Sequence, residues 1–315
     1  MKLSHEPMAQ PCGFAAAMHD RRRLCRAAFS EIELVVCIGV IVLLLAVIVP
    51  TLMKARGLAH GAQCKDHLHN LGVAVENYLH NSGSYPVGAT PTRVLLANGR
   101  TLEEWSWMVD LLPYVEQSPL HDSMRAVQHP NRGTAASGGF TGLEWQQVHI
   151  DVFTCLQDEI GRDGQTPAPA SYAACYHHDE ATITAERHGL FVRQRALRPV
   201  DVRDGLAYTL AIGDKQARPD DMGWFAGDQT TLRNAGFVLN AERRAQETNG
   251  DIRTPVVGDI GGFSSHHPGG VNFLFADTSV RFLSEQVDHM VLRRLADRFD
   301  GELVELPKGP VDPDN

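Results

Sequence analysis

The sequence predicts an α+β protein: a long N-terminal helix, apolar all round in its first half and amphipathic in its second, packed on a large mixed, mainly antiparallel β head. Three observations carry this. Leu34 to Val49 holds no charged side chain and is closed by Pro50. Cys64, Leu68, Leu71, Val75 and Tyr78 or Leu79 then recur at steps of three and four, the stripe of an amphipathic helix. Far downstream, Val271 to Ala276 and Val280 to Leu283 flank Asp277-Thr278-Ser279, the pattern of a β-hairpin.

Taken in order, residues 1–28 form a basic leader carrying Arg21, Arg22, Arg23 and Arg26. Initiation at Met18 would give a shorter leader of the same character. Residues 29–50 are the membrane segment. A span needs about 20 mostly apolar residues, and Ile32 to Val49 falls within the lower range. The upstream arginines predict a single-pass protein of the cytoplasmic membrane, with its N-terminus cytoplasmic and its head extracytoplasmic; Lys54 and Arg56 soften that asymmetry. An ordinary signal peptide fits less well, because the apolar core exceeds the usual length and no A-x-A site follows. Glu33 at the head of the run is costly in lipid unless paired, which marks it as functional.

Residues 51–82 continue the helix, which Asn81-Ser82-Gly83 ends and Pro86 stops. The head occupies 83–306. Within it Thr101 to Tyr114 reads as helical, with Trp105, Trp107, Leu111 and Leu112 as its apolar bulk, and Gly133 to Gly142 reads as a flexible loop. Strands are expected over Val148 to Cys155, Gly189 to Arg193 and Thr209 to Gly213, the last introduced by the turn pair Asp204-Gly205. A helix follows the hairpin from about Glu285 to Arg298, and 307–315 is a flexible tail.

The net charge of −9 and a pI near 5.9 exclude nucleic acid as an expected partner. Of six cysteines, Cys12 and Cys25 lie in the leader and Cys37 in the membrane segment, so Cys64, Cys155 and Cys175 alone would meet an oxidising compartment. An odd count allows one bridge. The favoured pair is Cys155 with Cys175, whose intervening loop carries Asp163-Gly164 and Pro167-Ala168-Pro169; Cys64 remains an alternative partner.

Two resemblances follow. Phe29-Ser30-Glu31-Ile32-Glu33-Leu34, behind a basic patch and ahead of an apolar helix, resembles the G-F-T-L-I-E-L signature of type IV prepilins and pseudopilins. The likeness makes Phe29 the first mature residue and Glu33 the acidic residue at mature position five, and puts Pro50 where pilin helices often kink. It implies membrane lipid, other pilin-like subunits and a prepilin peptidase as partners, with Glu33 meeting the α-amine of a neighbouring subunit. Ala28 stands where that peptidase takes Gly.

The second is to prepilin-like bacterial proteins of a large uncharacterised domain family that end in an H-X9-D-G motif. Here His267-Pro268-Gly269-Gly270-Val271-Asn272 is followed by Asp277 and by Ser279-Val280-Arg281-Phe282, with Thr278 in place of Gly. Asp204-Gly205 through Ile212-Gly213, Phe153-Thr154-Cys155 and Ser171-Tyr172-Ala173 are similar to other segments of that family.

His267 and Asp277 have two readings. An Asp at a hairpin turn commonly holds its own backbone, and paired glycines allow a close approach or a sharp bend into the strand. The sharper reading is a cation site from His266, His267, Asp277 and Asp259, although histidines argue against calcium. His177-His178-Asp179-Glu180 reads as a solvated loop. With no G-x-S-x-G, phosphate loop or H-E-x-x-H, no catalytic residue, enzyme activity or cofactor is expected. The expectation is a pilin-like structural subunit of a type II secretion or type IV pilus-related system. The alternative is an anchored envelope protein that binds a ligand through its head.

Overall fold

In a computed structural model of the chain, residues 31–96, 98–128, 144–158, 167–218, 220–248, 252–256, 258–302 and 304 are described. The leader 1–28 with Ala28, Phe29, the Gly133 to Gly142 loop and the 307–315 tail lie outside them. The chain divides into two units, Met1–Met53 and Lys54–Asn315.

In the first unit the described residues are the opening of α1 (Glu31–Ser82). Glu31 and Glu33 occupy the first described turn of the helix. From Glu31 to Val49 the helix is long and apolar enough to cross a membrane, and none of it is buried.

In the second unit the rest of α1 packs through Cys64, Leu68, Leu71, Ala74 and Val75, all buried. It ends where Gly83 takes φ = 74° and donates its N–H to Leu79 O at 2.8 Å, satisfying a carbonyl the helix would leave open.

A five-stranded sheet is ordered β5-β3-β4-β6-β7: β3 (Tyr172–His177), β4 (Leu210–Asp214), β5 (Leu232–Asn234), β6 (Gly270–Phe275) and β7 (Val280–Ser284). Its pairings are antiparallel except for parallel β3–β5. Side-chain alternation sorts β3 and β6 between two cores. Tyr172, Ala174, Tyr176 and Leu274 join the α1 residues on one face. Ala173, Cys175, Val271, Phe273 and Phe275 meet Leu292 and Leu295 of α5 (His289–Leu295) on the other. A short helix α4 (Ala241–Glu247) lies between β5 and β6 in sequence.

The expected hairpin is β6–β7. The expected helix from 101 to 114 is instead a strand, β2 (Thr101–Ser106), paired with β1 (Ala89–Leu95), followed by the short helices α2 (Trp107–Leu111) and, further on, α3 (Ser118–Gln128). Leu102 and Trp105 are three apart and suit either element, but Ser106 decides the break: its hydroxyl accepts from Met108 N at 3.0 Å and caps a new helix. Val148 to Cys155 forms turns and not a strand, with Phe153 N bonded to Ile150 O and Thr154 N to Asp151 O. Gly189 to Arg193 offers separate bonds to Tyr176 O and Cys175 O and one bridge to Ala89, not a strand.

Candidate functional site

The most closely assembled set of reactive side chains lies under α1. Cys64 comes from the helix, Cys155 from the turn after Phe153, and His267 from the segment leading into β6. All three are buried. The Cys64 and Cys155 sulfurs are 2.6 Å apart, and His267 Nε2 is 3.8 Å from Cys155 Sγ. His67, one turn along α1, meets Thr154 O through Nδ1 at 3.0 Å, and Tyr172 Oη donates to Cys64 O at 3.2 Å. His67 thus ties the helix to the turn, and Tyr172 ties it to β3.

The close sulfur contact drives the two thiols in opposite directions. A hydrogen bond from Cys155 brings the Cys64 thiol down to about 4 against the cost of burial, with help from His267 and the Leu156 N–H. The same contact and burial push Cys155 up. Asp214, at the end of β4, is raised to about 7 by burial. Its Oδ2 accepts from Asn272 N at 2.8 Å and Asn272 Nδ2 at 3.0 Å, and its Oδ1 has no hydrogen bond among the described residues.

The arrangement suits thiol chemistry between its two cysteines better than ligation of an ion. Two thiolates on one tetrahedral zinc, each about 2.3 Å from it, sit about 3.8 Å apart. The observed spacing is far tighter.

The expected Cys155–Cys175 pair is not brought together. Cys175 projects from β3 toward α5, and its sulfur points at His177 O (3.8 Å) and Ala296 O (4.0 Å). Cys155 lies against Cys64 of α1, which packs on the opposite face of the sheet. Strand alternation puts the sheet between them.

His266, His267, Asp277 and Asp259 do not converge either. His267 precedes β6 and Asp277 follows it, so the strand separates them by roughly 17 Å at about 3.4 Å per residue. His266 Nε2 lies 2.8 Å from Asp158 Oδ1. Asp259 Oδ2 accepts from Val256 N at 3.1 Å.

Asp277 staples the hairpin turn, accepting from Ser279 N (3.0 Å) and Ser279 Oγ (2.6 Å), with Arg281 Nη2 at 3.4 Å. Gly269 has φ = 81°, and a Cβ on Gly270 would strike Leu283 O and the Phe282 ring. These two glycines turn the chain into β6 and let β7 approach it.

The four residues from His177 to Glu180 part company. Asp179 pairs with Arg293 at 2.7 Å, and Glu180 accepts from Ile260 N and Gly261 N at 3.0 and 3.1 Å. His178 instead reaches Asp297, as does His188, with Nδ1–Oδ2 distances of 2.8 and 2.7 Å. Burial opposes the Asp297 carboxylate, but contacts from His178, His188 and the Phe299 N–H outweigh it and hold the group down at about 2.

Asp214, His188 and Asp297 carry no local motif. Each becomes legible only once the elements that bring their partners are placed. Cys64 was visible on the helical stripe, but nothing in its neighbours names Cys155 as its partner.

The chain matches no curated protein and no solved structure. A family match covers residues 53–290, a span that contains the Cys64, Cys155, Asp214 and His267 cluster and the β6–β7 hairpin but neither the apolar run nor Asp297. On that match the chain belongs to the family described as "Protein of unknown function (DUF1559)".

Proposed function

We propose that the chain is a pilin- or pseudopilin-like structural subunit, anchored in the cytoplasmic membrane by α1 with its head outside the cytoplasm. The observation that carries this reading is the apolar stretch Glu31–Val49, unburied throughout, which opens on two carboxylates. An exposed apolar surface of that length must be covered by lipid or by like helices. An acidic head on such a helix is tolerated where an opposite charge meets it, as an α-amine of a neighbouring subunit would. In this reading the chemistry is non-covalent: helix packing, with Glu33 setting register and Ala28-Phe29 as the junction offered to a prepilin peptidase.

The test is Glu33→Ala in the full chain, followed by membrane fractionation and by crosslinking between copies. The expected result is normal insertion with crosslinked oligomers reduced at least about tenfold, the factor of a lost charge pairing worth ~1.4 kcal/mol. Unchanged oligomers would remove the subunit reading. The N-terminal residue of membrane-isolated protein gives a second readout: methylated Phe29 supports processing, and a retained Arg21 to Ala28 supports a fixed anchor.

A second reading, an anchored ligand-binding protein, rests on an open cleft of about 410 Å³ lined by Asn70, Val73, Tyr114, Glu116 and Asp151, a volume within the range of small-molecule sites. It gains ground if Glu33→Ala leaves assembly untouched.

A further inference from the structure

We propose that His178, His188 and Asp297 form a binding site for a divalent transition ion of the zinc class. The three residues come from separate places: His178 just past the end of β3, His188 from the loop that returns from it, and Asp297 just beyond α5. Their ligand atoms lie within 4.8 Å of one another. Both imidazole Nδ1 atoms converge on the same oxygen, Asp297 Oδ2, at 2.8 and 2.7 Å.

A carboxylate that merely anchors two histidines would receive an aligned N–H from each. His188 is so aligned. His178 Nδ1 is buried and 2.8 Å from the oxygen, yet among the described residues this contact is not aligned as a hydrogen bond. Proximity without alignment is the relation of two ligands flanking a common centre. On a tetrahedral ion with bonds of about 2.0–2.1 Å, nitrogen and oxygen stand about 3.3 Å apart. Each contact therefore has to open by roughly half an ångström, a small movement for imidazoles with side-chain exposures of 25% and 38%.

The surroundings hold the donors in place. Arg298 N donates to His188 O at 3.0 Å, and Arg298 Nη1 to Gly189 O at 2.9 Å and Arg187 O at 2.5 Å, so the loop is pinned on both sides of His188. Phe299 N bonds Asp297 Oδ1 at 3.1 Å, which leaves Oδ2 for the ion. The His188 ring packs on Phe299 at 4.5 Å, and His177 packs on both imidazoles at 4.3 and 5.3 Å. Outer contacts of this kind fix the orientation of ligands.

The donor chemistry selects the ion. Two imidazole nitrogens and one carboxylate oxygen suit zinc, cobalt, nickel or copper, whereas calcium and magnesium take oxygen donors. Three protein ligands leave a fourth position for water. Unlike the buried cysteine cluster, this site is open to solvent on its histidine side.

The test uses the tag-free full chain in detergent, stripped with chelator and titrated with cobalt(II). The site predicts one equivalent bound with visible d–d bands and no sulfur-to-cobalt charge-transfer band. His188→Gln and Asp297→Asn should each weaken binding at least about tenfold. No binding, binding unchanged in both variants, or a sulfur band would overturn it. If the variants do not fold, X-ray absorption of the zinc-loaded wild type decides. A nitrogen and oxygen shell with two imidazoles supports the site, and a shell with sulfur or fewer than two imidazoles removes it.

Discussion

Thr278 occupies the left-handed region at φ = 67°, in the turn where the sequence resemblance has Gly. The missing glycine predicts a looser turn or one of another type, but the turn keeps the conformation glycine would take. Its bonds explain this: Asp277 holds Ser279 through backbone and hydroxyl, and Thr278 N donates to Phe275 O at 2.9 Å. A β-branched residue in that region costs about 1–2 kcal/mol. The Thr278 side chain stands over Gly72 of α1, where a Cβ added to that glycine would come within 3.5 Å of the Thr278 Cβ. Thr278→Gly should therefore raise stability by about 1 kcal/mol in denaturant melts. A loss of stability would mean that the packing of the Thr278 side chain outweighs the backbone strain. Asp277 itself was readable as a turn residue from its place between two strands. Asp214 was not, because its burial depends on β4 lying between β3 and β6.

At the scale of elements, α1 and β6–β7 follow from local pattern, and the thiol pair follows from their packing. The Cys64 stripe defines which face of α1 is buried. The turn at 151–153 then brings Cys155 against that face, with His67 and Thr154 O bonded beside it. Oxidised glutathione applied to the full chain should join Cys64 to Cys155, each disulfide releasing reduced glutathione. Peptide mapping would find residues 64 and 155 crosslinked and Cys175 still a thiol. The crosslink closes a loop of 91 residues, and such closures stabilise by about 2–4 kcal/mol. A Cys155–Cys175 peptide would contradict the geometry. The segments from 101 to 106 and from 148 to 155 depart from the expected helix and strand for one reason. Short apolar runs fit both periods, and their fate was settled by a cap at Ser106 and by turn bonds around Asp151.

For the whole molecule, the buried Asp214 and the half-buried Asp110 set a pH dependence opposite to that of surface carboxylates. Burial raises Asp214 to about 7 and Asp110 to about 6, each from 3.8. Arg125 faces Asp110; His267, Cys64 and Asn272 face Asp214. The folded state keeps protons that the unfolded chain releases between pH 3.8 and 7, so these groups' share of stability falls as pH rises through that window and is level above it. Asp214→Asn keeps an acceptor for Asn272 and loses the charge. Thermal melts at pH 5 and pH 8 should show the variant gaining on the wild type at pH 8. Equal differences at both pH values would mean that Asp214 is ionised throughout.

What the sequence determined by itself is whatever depends on near neighbours: the apolar helix, its amphipathic continuation to Gly83, the hairpin and its glycines, and the α+β class. Periodicity and turn chemistry are local, so they survive translation from one dimension. Tertiary structure alone decided that Cys64 meets Cys155, that His267 and Asp277 stand at opposite ends of a strand, and that His178 and His188 share Asp297. Those pairings join residues far apart in the chain, and only the crossing order of the sheet and the faces its strands present bring them together.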